Sequence, residues 1–139
     1  MEQLPEEEED FMLERGILNP AINSLLSRVR HTNTLVIADR GFPFWPAIET
    51  IDLALVDGIP RVLDVLAAVR VNCHFGAAFM AEEFQANEAE VKRQFQAALE
   101  GIPLTFEPHI EFKKRVPRAI GLIRTADTVA YANMILESA

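Results

Sequence analysis

His31-Thr32-Asn33-Thr34-Leu35-Val36-Ile37-Ala38-Asp39-Arg40-Gly41-Phe42-Pro43 is the stretch from which the fold can be read. Leu35 to Ala38 form an apolar run with no solvated face, the pattern of a strand covered on both sides in an α/β sheet. His31 stands just before that strand and Asp39 where the chain leaves it, so a chemical group marks each end. Open α/β sheets hold their ligands at the carboxyl ends of their strands. An imidazole exchanges a proton near neutral pH, and a carboxylate holds a hydroxyl or orients an imidazole.

Working outward, Asn19-Pro20 reads as an N-cap followed by proline at the first helical position. Ile22, Leu25, Leu26 and Val29 follow at helical spacing, and this helix is expected to stop near Arg30. His31 then has a second reading, as a residue at a helix C-terminus, where the dipole favours a cation. Beyond the strand, Gly41 and Pro43 make a turn. Phe44 and Trp45, between Pro43 and Pro46, either fill a gap or subunit contact or lie against a sugar ring.

Ile51 to Val56 is a candidate second strand ending at the turn pair Asp57-Gly58. Pro60 opens a helix with Val62, Val65, Leu66 and Val69 on one face. Val71 to Ala81 is read as a third strand, with Cys73 and His74 as packed members of it. Asn87 begins a helix with Glu90 in capping-box position and Gly101 at its end. Leu104 to Glu107 is a strand, and Pro108 opens a short helix through Arg115. Ala119 to Arg124 and Asn133 to Glu137 are two further strands, joined by residues 125–132. Strands alternating with helices through short links predict an α/β fold, a single domain with a mostly parallel sheet and helices on both faces.

Two further clusters carry chemistry. His109 and Lys113 lie four residues apart, on one face of the short helix. His109 falls in its first turn, where the dipole opposes positive charge, so the pair suggests a neutral imidazole beside a lysine reaching for oxygen-rich ligands. Tyr131-Ala132-Asn133 sets the chain's only tyrosine close to a carboxamide, a donor and acceptor set suited to sugar hydroxyls. Tyrosine and asparagine are equally ordinary turn residues.

Composition narrows the classes. The 139 residues are 50% hydrophobic, enough for one domain. The single cysteine, Cys73, excludes an internal disulfide framework and suggests a reducing, cytoplasmic compartment. No apolar run approaches the roughly 20 residues of a membrane helix, and an acidic N-terminus is the opposite of a secretory signal. Residues 1–15 hold seven acids against Arg15 alone, out of a net charge of −8, so the acidity belongs to an N-terminal tail and the body, 16–139, is nearly balanced. No basic stripe with interleaved aromatics points to nucleic acid.

From Gly16 onward the chain resembles the D-ribose pyranase and L-fucose mutarotase family. The residues that carry the likeness are Gly16-Ile17-Leu18-Asn19, Ser27-Arg28, His31 to Val36, Asp39 with Gly41 and Pro43, Ile51-Asp52, Ala54-Leu55, Gly58 and Pro60. They continue through Ala81-Glu82-Glu83, His109, Phe112-Lys113, Ile123-Arg124 and Tyr131-Ala132-Asn133. The resemblance implies a ribose-pyranase-like fold and a cofactor-free, metal-free isomerase or mutarotase of carbohydrate metabolism that interconverts ring forms of a monosaccharide. His109, Lys113 and Ala132 lean toward the ribose branch. It also implies roles: His31 as proton donor and principal acid/base, Asp39 as sugar-binding carboxylate that fixes a hydroxyl or tunes His31, and His109, Lys113, Tyr131, Ala132 and Asn133 as sugar contacts. It further implies a homodecamer with sites at subunit interfaces, His109 and Lys113 reaching across. Arg30, Arg40 and Phe44-Trp45 depart from the family's usual residues. Two rivals follow: a non-catalytic sugar-binding or regulatory member, and a metal enzyme using His31, Asp39 and His109.

Overall fold

The computed structural model describes residues 16–139; the acidic segment 1–15 lies outside the described residues. Six strands form one sheet: β1 (Thr34–Ala38), β2 (Glu49–Asp52), β3 (Phe75–Ala81), β4 (Leu104–Glu107), β5 (Gly121–Arg124) and β6 (Met134–Ser138), in the order β2-β5-β1-β6-β3-β4. β1 and β2 run parallel to β5, β4 runs parallel to β3, and β6 is antiparallel to both β1 and β3. Five strands therefore share one direction, and β6 alone runs against them.

The expected strand at the centre is present. Leu35 and Ile37 face one core layer together with Ile22, Leu25, Val62, Leu66 and Phe95, from the helices α1 (Pro20–Leu26), α2 (Val62–Asn72) and α3 (Ala89–Ala98). Val36 and Ala38 face the other layer with Phe112 and Val116, beneath α4 (His109–Arg115). All four β1 side chains from Leu35 to Ala38 are essentially inaccessible, which is why the run carries no polar alternation.

Several boundaries differ from expectation. Asn19 does cap α1, its Oδ1 accepting the Ile22 N–H at 3.0 Å, but the helix ends at Leu26 rather than near Arg30. Ser27 and Arg30 turn their side chains back onto the carbonyls of Ser24, Ser27 and Val29, so the chain leaves the helical path early. His31 is thus in a separate turn and not at a helix terminus. β2 covers 49–52, not 51–56; Leu55 to Ile59 instead close on themselves around Asp57-Gly58, with Gly58 at φ +83°. Val71 and Asn72 belong to the end of α2 and β3 starts only at Phe75, so Cys73 and His74 form the link between them. The expected capping box at Asn87 is also absent. Glu88 is the N-cap, Glu90 pairs with Arg93, and the Asn87 amide has other partners described below.

Gly121 shows how α1 reaches the sheet. A Cβ there would lie 2.6 Å and 2.8 Å from the two methyls of Leu25, a fully buried side chain. Gly121→Ala is expected to destabilise the fold by about 1–3 kcal/mol through overpacking, read as a lower thermal midpoint.

Candidate active site

The five parallel strands deliver their carboxyl ends to one rim of the sheet, and β6 begins at that same rim. Asp39 follows β1, Glu83 and Asn87 follow β3, His109 follows β4, Thr125 and Asp127 follow β5, and Asn133 precedes β6. Here lies an open cleft of about 290 Å³, lined by Asp39, Gly41, Phe42, Pro43, His109, Ala130, Tyr131 and Asn133. Four of the seven residues expected from sequence therefore meet in one place.

Asp39 is held from every side. Its N–H donates to Asn133 Oδ1 at 2.7 Å, and its own Oδ1 accepts the Gly41 N–H at 3.0 Å. The preceding carbonyl, of Ala38, accepts both the Thr125 N–H and its hydroxyl at 2.8 Å. The following N–H, of Arg40, donates to the Asp127 carbonyl at 3.1 Å. Burial raises the Asp39 pKa above the ordinary carboxylate value; hydrogen bonds from Gly41, Asn133 and Phe42 pull it back, and the charge of Asp127 pushes it up again. The result is a rigid, half-desolvated carboxylate at the floor of a cleft.

His109 opens α4, its backbone N–H donating to Glu83 Oε1 at 3.0 Å. Burial lowers its imidazole pKa first, then the adjacent charge of Lys113, while Glu83 and Asp39 oppose the shift. The ring is therefore neutral near pH 7. It stacks on Phe112 at 6.0 Å and meets the Tyr131 ring edge-on at 5.1 Å. Its Nδ1 is buried without a hydrogen-bond partner among the described residues. Lys113 stands one turn further along the same face, half-buried, and does not line the cleft itself.

Tyr131 has φ +56°, a left-handed conformation uncommon for an aromatic residue. Such strain persists where the surroundings over-determine the backbone. Asn87 supplies part of that constraint, donating its amide to the carbonyls of Phe84 and Ala130, both at 2.9 Å. Ala132 is fully buried in the core, so it can offer the site only its backbone.

His31 does not join this group within one chain. It is exposed at the opposite rim, beside the end of β6, where the Thr32 N–H donates to the Ser138 carbonyl at 3.1 Å. The five residues of β1 span roughly 17 Å between the two rims. Tuning of His31 by Asp39 inside one subunit is thereby ruled out by strand length, as is a metal site combining His31, Asp39 and His109 of one copy. Among the described residues no three His, Cys, Asp or Glu side chains cluster at metal-binding distance. Trp45 packs beneath the loop against Phe42 at 6.5 Å, filling a gap as one reading had it, whereas Phe44 is 67% exposed.

Sequence reading missed Thr125, Asp127 and Asn87. Asp127 is buried, its carboxylate accepting the N–H of Val62 at 2.8 Å and of Val129 at 2.9 Å. A Thr-x-Asp in a connecting segment is an ordinary solvated pattern, and only the tertiary contact to the start of α2 reveals its use.

The chain resembles characterised proteins over nearly its whole length. A model of the RbsD / FucU transport protein family matches residues 12–139. A D-ribose pyranase of Geobacillus kaustophilus (strain HTA426) is 40% identical over 127 residues, covering 91% of this chain and 93% of that protein. A D-ribose pyranase of Laribacter hongkongensis (strain HLHK9) is 37% identical, covering 91% and 97%. The structure of Bacillus subtilis RbsD complexed with D-ribose superposes with a TM-score of 0.85 at 31% identity, covering 91% of this chain and 97% of that one. A fucose mutarotase of Streptococcus pneumoniae, in complex with L-fucose, shares the fold with a TM-score of 0.76 at 18% identity, again covering 91% and 97%.

Proposed function

Because the chain belongs to the RbsD / FucU family, we propose that it interconverts the ring forms of a monosaccharide, D-ribose first among them, by acid–base ring opening without a cofactor. The observation that carries this reading is the convergence of Asp39, His109, Tyr131 and Asn133 on one cleft, in a chain 31% identical to a protein solved with D-ribose.

In the reaction, a base takes the anomeric hydroxyl proton while an acid protonates the ring oxygen. The bond from C1 to the ring oxygen then breaks, leaving an open-chain aldehyde. Closure through a different hydroxyl turns pyranose into furanose, and closure on the other carbonyl face exchanges anomers. Each proton is returned on closure, so no net reagent is consumed. Asp39 accepts a sugar hydroxyl, a task for which its fixed backbone and Gly41 contact orient it. Neutral His109 offers a nitrogen to a second oxygen, Lys113 on the same helix face offers its ammonium as a donor to a further sugar oxygen, and Tyr131 and Asn133 bind the remaining hydroxyls.

His31 is the principal acid in this proposal, and it reaches the cleft from a second copy. Supporting this, His31 is exposed at the far rim, and the face around the cleft carries Ile110 at 66% and Tyr131 at 40% exposure. Leu18, Leu55, Val56 and Ile59 are also more than half exposed, apolar surface suited to further subunit contacts. We therefore include in the proposal a closed ring assembly, a decamer, with each sugar site shared between neighbours. Cytoplasmic placement, with Cys73 as a free thiol, belongs to the same proposal.

A non-catalytic, sugar-binding role would follow if Arg30 or Arg40 obstructed the site. Both guanidinium groups are engaged elsewhere: Arg40 pairs with Asp57 at 2.8 Å, and Arg30 donates to the carbonyls of Ser27 and Val29. That observation favours catalysis. Magnetisation-transfer NMR on D-ribose decides: pyranose–furanose exchange accelerated in proportion to protein and surviving a chelator supports the proposal. Binding with no acceleration would leave only the sugar-binding role.

A further inference from the structure

Arg124 ends β5 with a side chain only 17% exposed. Its Nη1 donates to the Phe42 carbonyl at 2.8 Å and to the Arg40 carbonyl at 3.3 Å, and its Nε lies 3.5 Å from Asp52 Oδ2. The Arg40 carbonyl and the Gly41 N–H belong to one planar peptide unit and point in opposite directions. That same Gly41 N–H donates to Asp39 Oδ1 at 3.0 Å. Holding the carbonyl on one side therefore aims the N–H on the other.

We propose that Arg124 is a positioning residue of the sugar site, its guanidinium clamping the Arg40 and Phe42 carbonyls so that the Gly41 N–H stays directed at the Asp39 carboxylate. The proposal rests on the reading of the Asp39 cleft as the sugar site. A guanidinium suits this task because Nη1, held in a rigid plane, donates to both carbonyls while the buried Nε, which makes no hydrogen bond of its own, faces the Asp52 carboxylate at 3.5 Å; a lysine ammonium is a single point of charge on a flexible stem. A loosened clamp frees the Arg40–Gly41 peptide to rotate, and Asp39 loses a donor that favours its charged form. The other groups facing Asp39 are Asp127 in the segment before β6 and His109 on α4. Neither contacts Arg124 through a hydrogen bond or ion pair, so they remain in place when it is changed.

The test uses the full chain with ¹³C-labelled aspartate carboxyls and follows Asp39 by NMR in wild type, Arg124→Lys and Arg124→Gln. Lysine keeps the positive charge, so a shift in that variant reports geometry. The Asp39 midpoint is expected to rise by about one pH unit in both variants. Ring-exchange kcat should fall about tenfold with little change in KM, as expected for a misaligned group. An Asp39 midpoint that stays put in a folded variant overturns the proposal, even where the thermal midpoint drops. Wild-type protein that never accelerates ring exchange contradicts the sugar-isomerase reading instead, and the Asp39 titration still judges Arg124. Should neither variant fold, the unmodified protein decides: the Gly41 amide shift must follow the Asp39 titration, and an amide that does not follow overturns the inference.

Discussion

His31→Ala is expected to lower ring-exchange turnover on the order of 10³-fold, within the range that a positioned acid contributes, while leaving the isolated fold almost unchanged. The side chain is exposed in a turn, and surface substitutions away from special contacts shift stability by about 0.5 kcal/mol or less. Asp39→Asn should lose comparable activity for a different reason, and it should also raise stability. Burial raises the folded-state pKa of Asp39. Below that raised value the folded chain binds a proton that the unfolded chain, near the ordinary 3.8, does not yet bind. Stability contributed by this group therefore grows as pH falls through the window between the two values, and the ionised form at neutral pH is a cost. The carboxamide that replaces it carries no charge, so the variant should melt higher than wild type at pH 7 and show no such window. His109 works in the reverse sense: its folded pKa lies below 6.5, so stability declines as pH falls through 6.5 and the unfolded chain takes the proton first. Thermal unfolding across pH 4–8 with parallel NMR exchange rates reads both effects.

Asp127→Ala is expected to be the costliest substitution for folding, by about 3 kcal/mol. The carboxylate is buried and satisfies two backbone donors, Val62 N–H at the first residue of α2 and Val129 N–H. Removing it orphans both. Its backbone also receives the Arg40 N–H next to Asp39, so the variant should lose sugar affinity along with stability. Chemical denaturation and ribose titration of the same preparation check the two losses together. A variant of unchanged stability would mean that these donors find solvent.

Much of this was legible in the residues because the physical signals were local. An unbroken apolar run fixed β1 as a central strand, Asn19-Pro20 fixed the start of α1, and Asp57-Gly58 fixed a turn. Asp39, His109, Tyr131 and Asn133 stand in separate clusters along the sequence and are joined there only by the family resemblance; the topology shows what no local signal carries, that all four sit where strands of one direction end or the reversed strand begins. Two features were not legible. The α2–β3 boundary failed at Val71, because Val-Asn-Cys carries no helix-stop signal and the helix simply runs on. Asn87 looked like a cap, but its amide is drawn to the strained Ala130-Tyr131 segment, a tertiary contact across 43 residues. The separation of His31 from Asp39, by contrast, was legible: the two flank β1, and side chains beyond a strand's two ends are held apart by its length.

That separation makes the shared site the central claim. The direct measurement is ring exchange by hybrid assemblies formed on co-expression of His31→Ala and Asp39→Asn chains. If His31 of one copy serves the Asp39 cleft of its neighbour, random mixing restores about a quarter of the sites to intact composition, and activity should return to that level from two inactive parents. Hybrids as inactive as either parent would contradict the account.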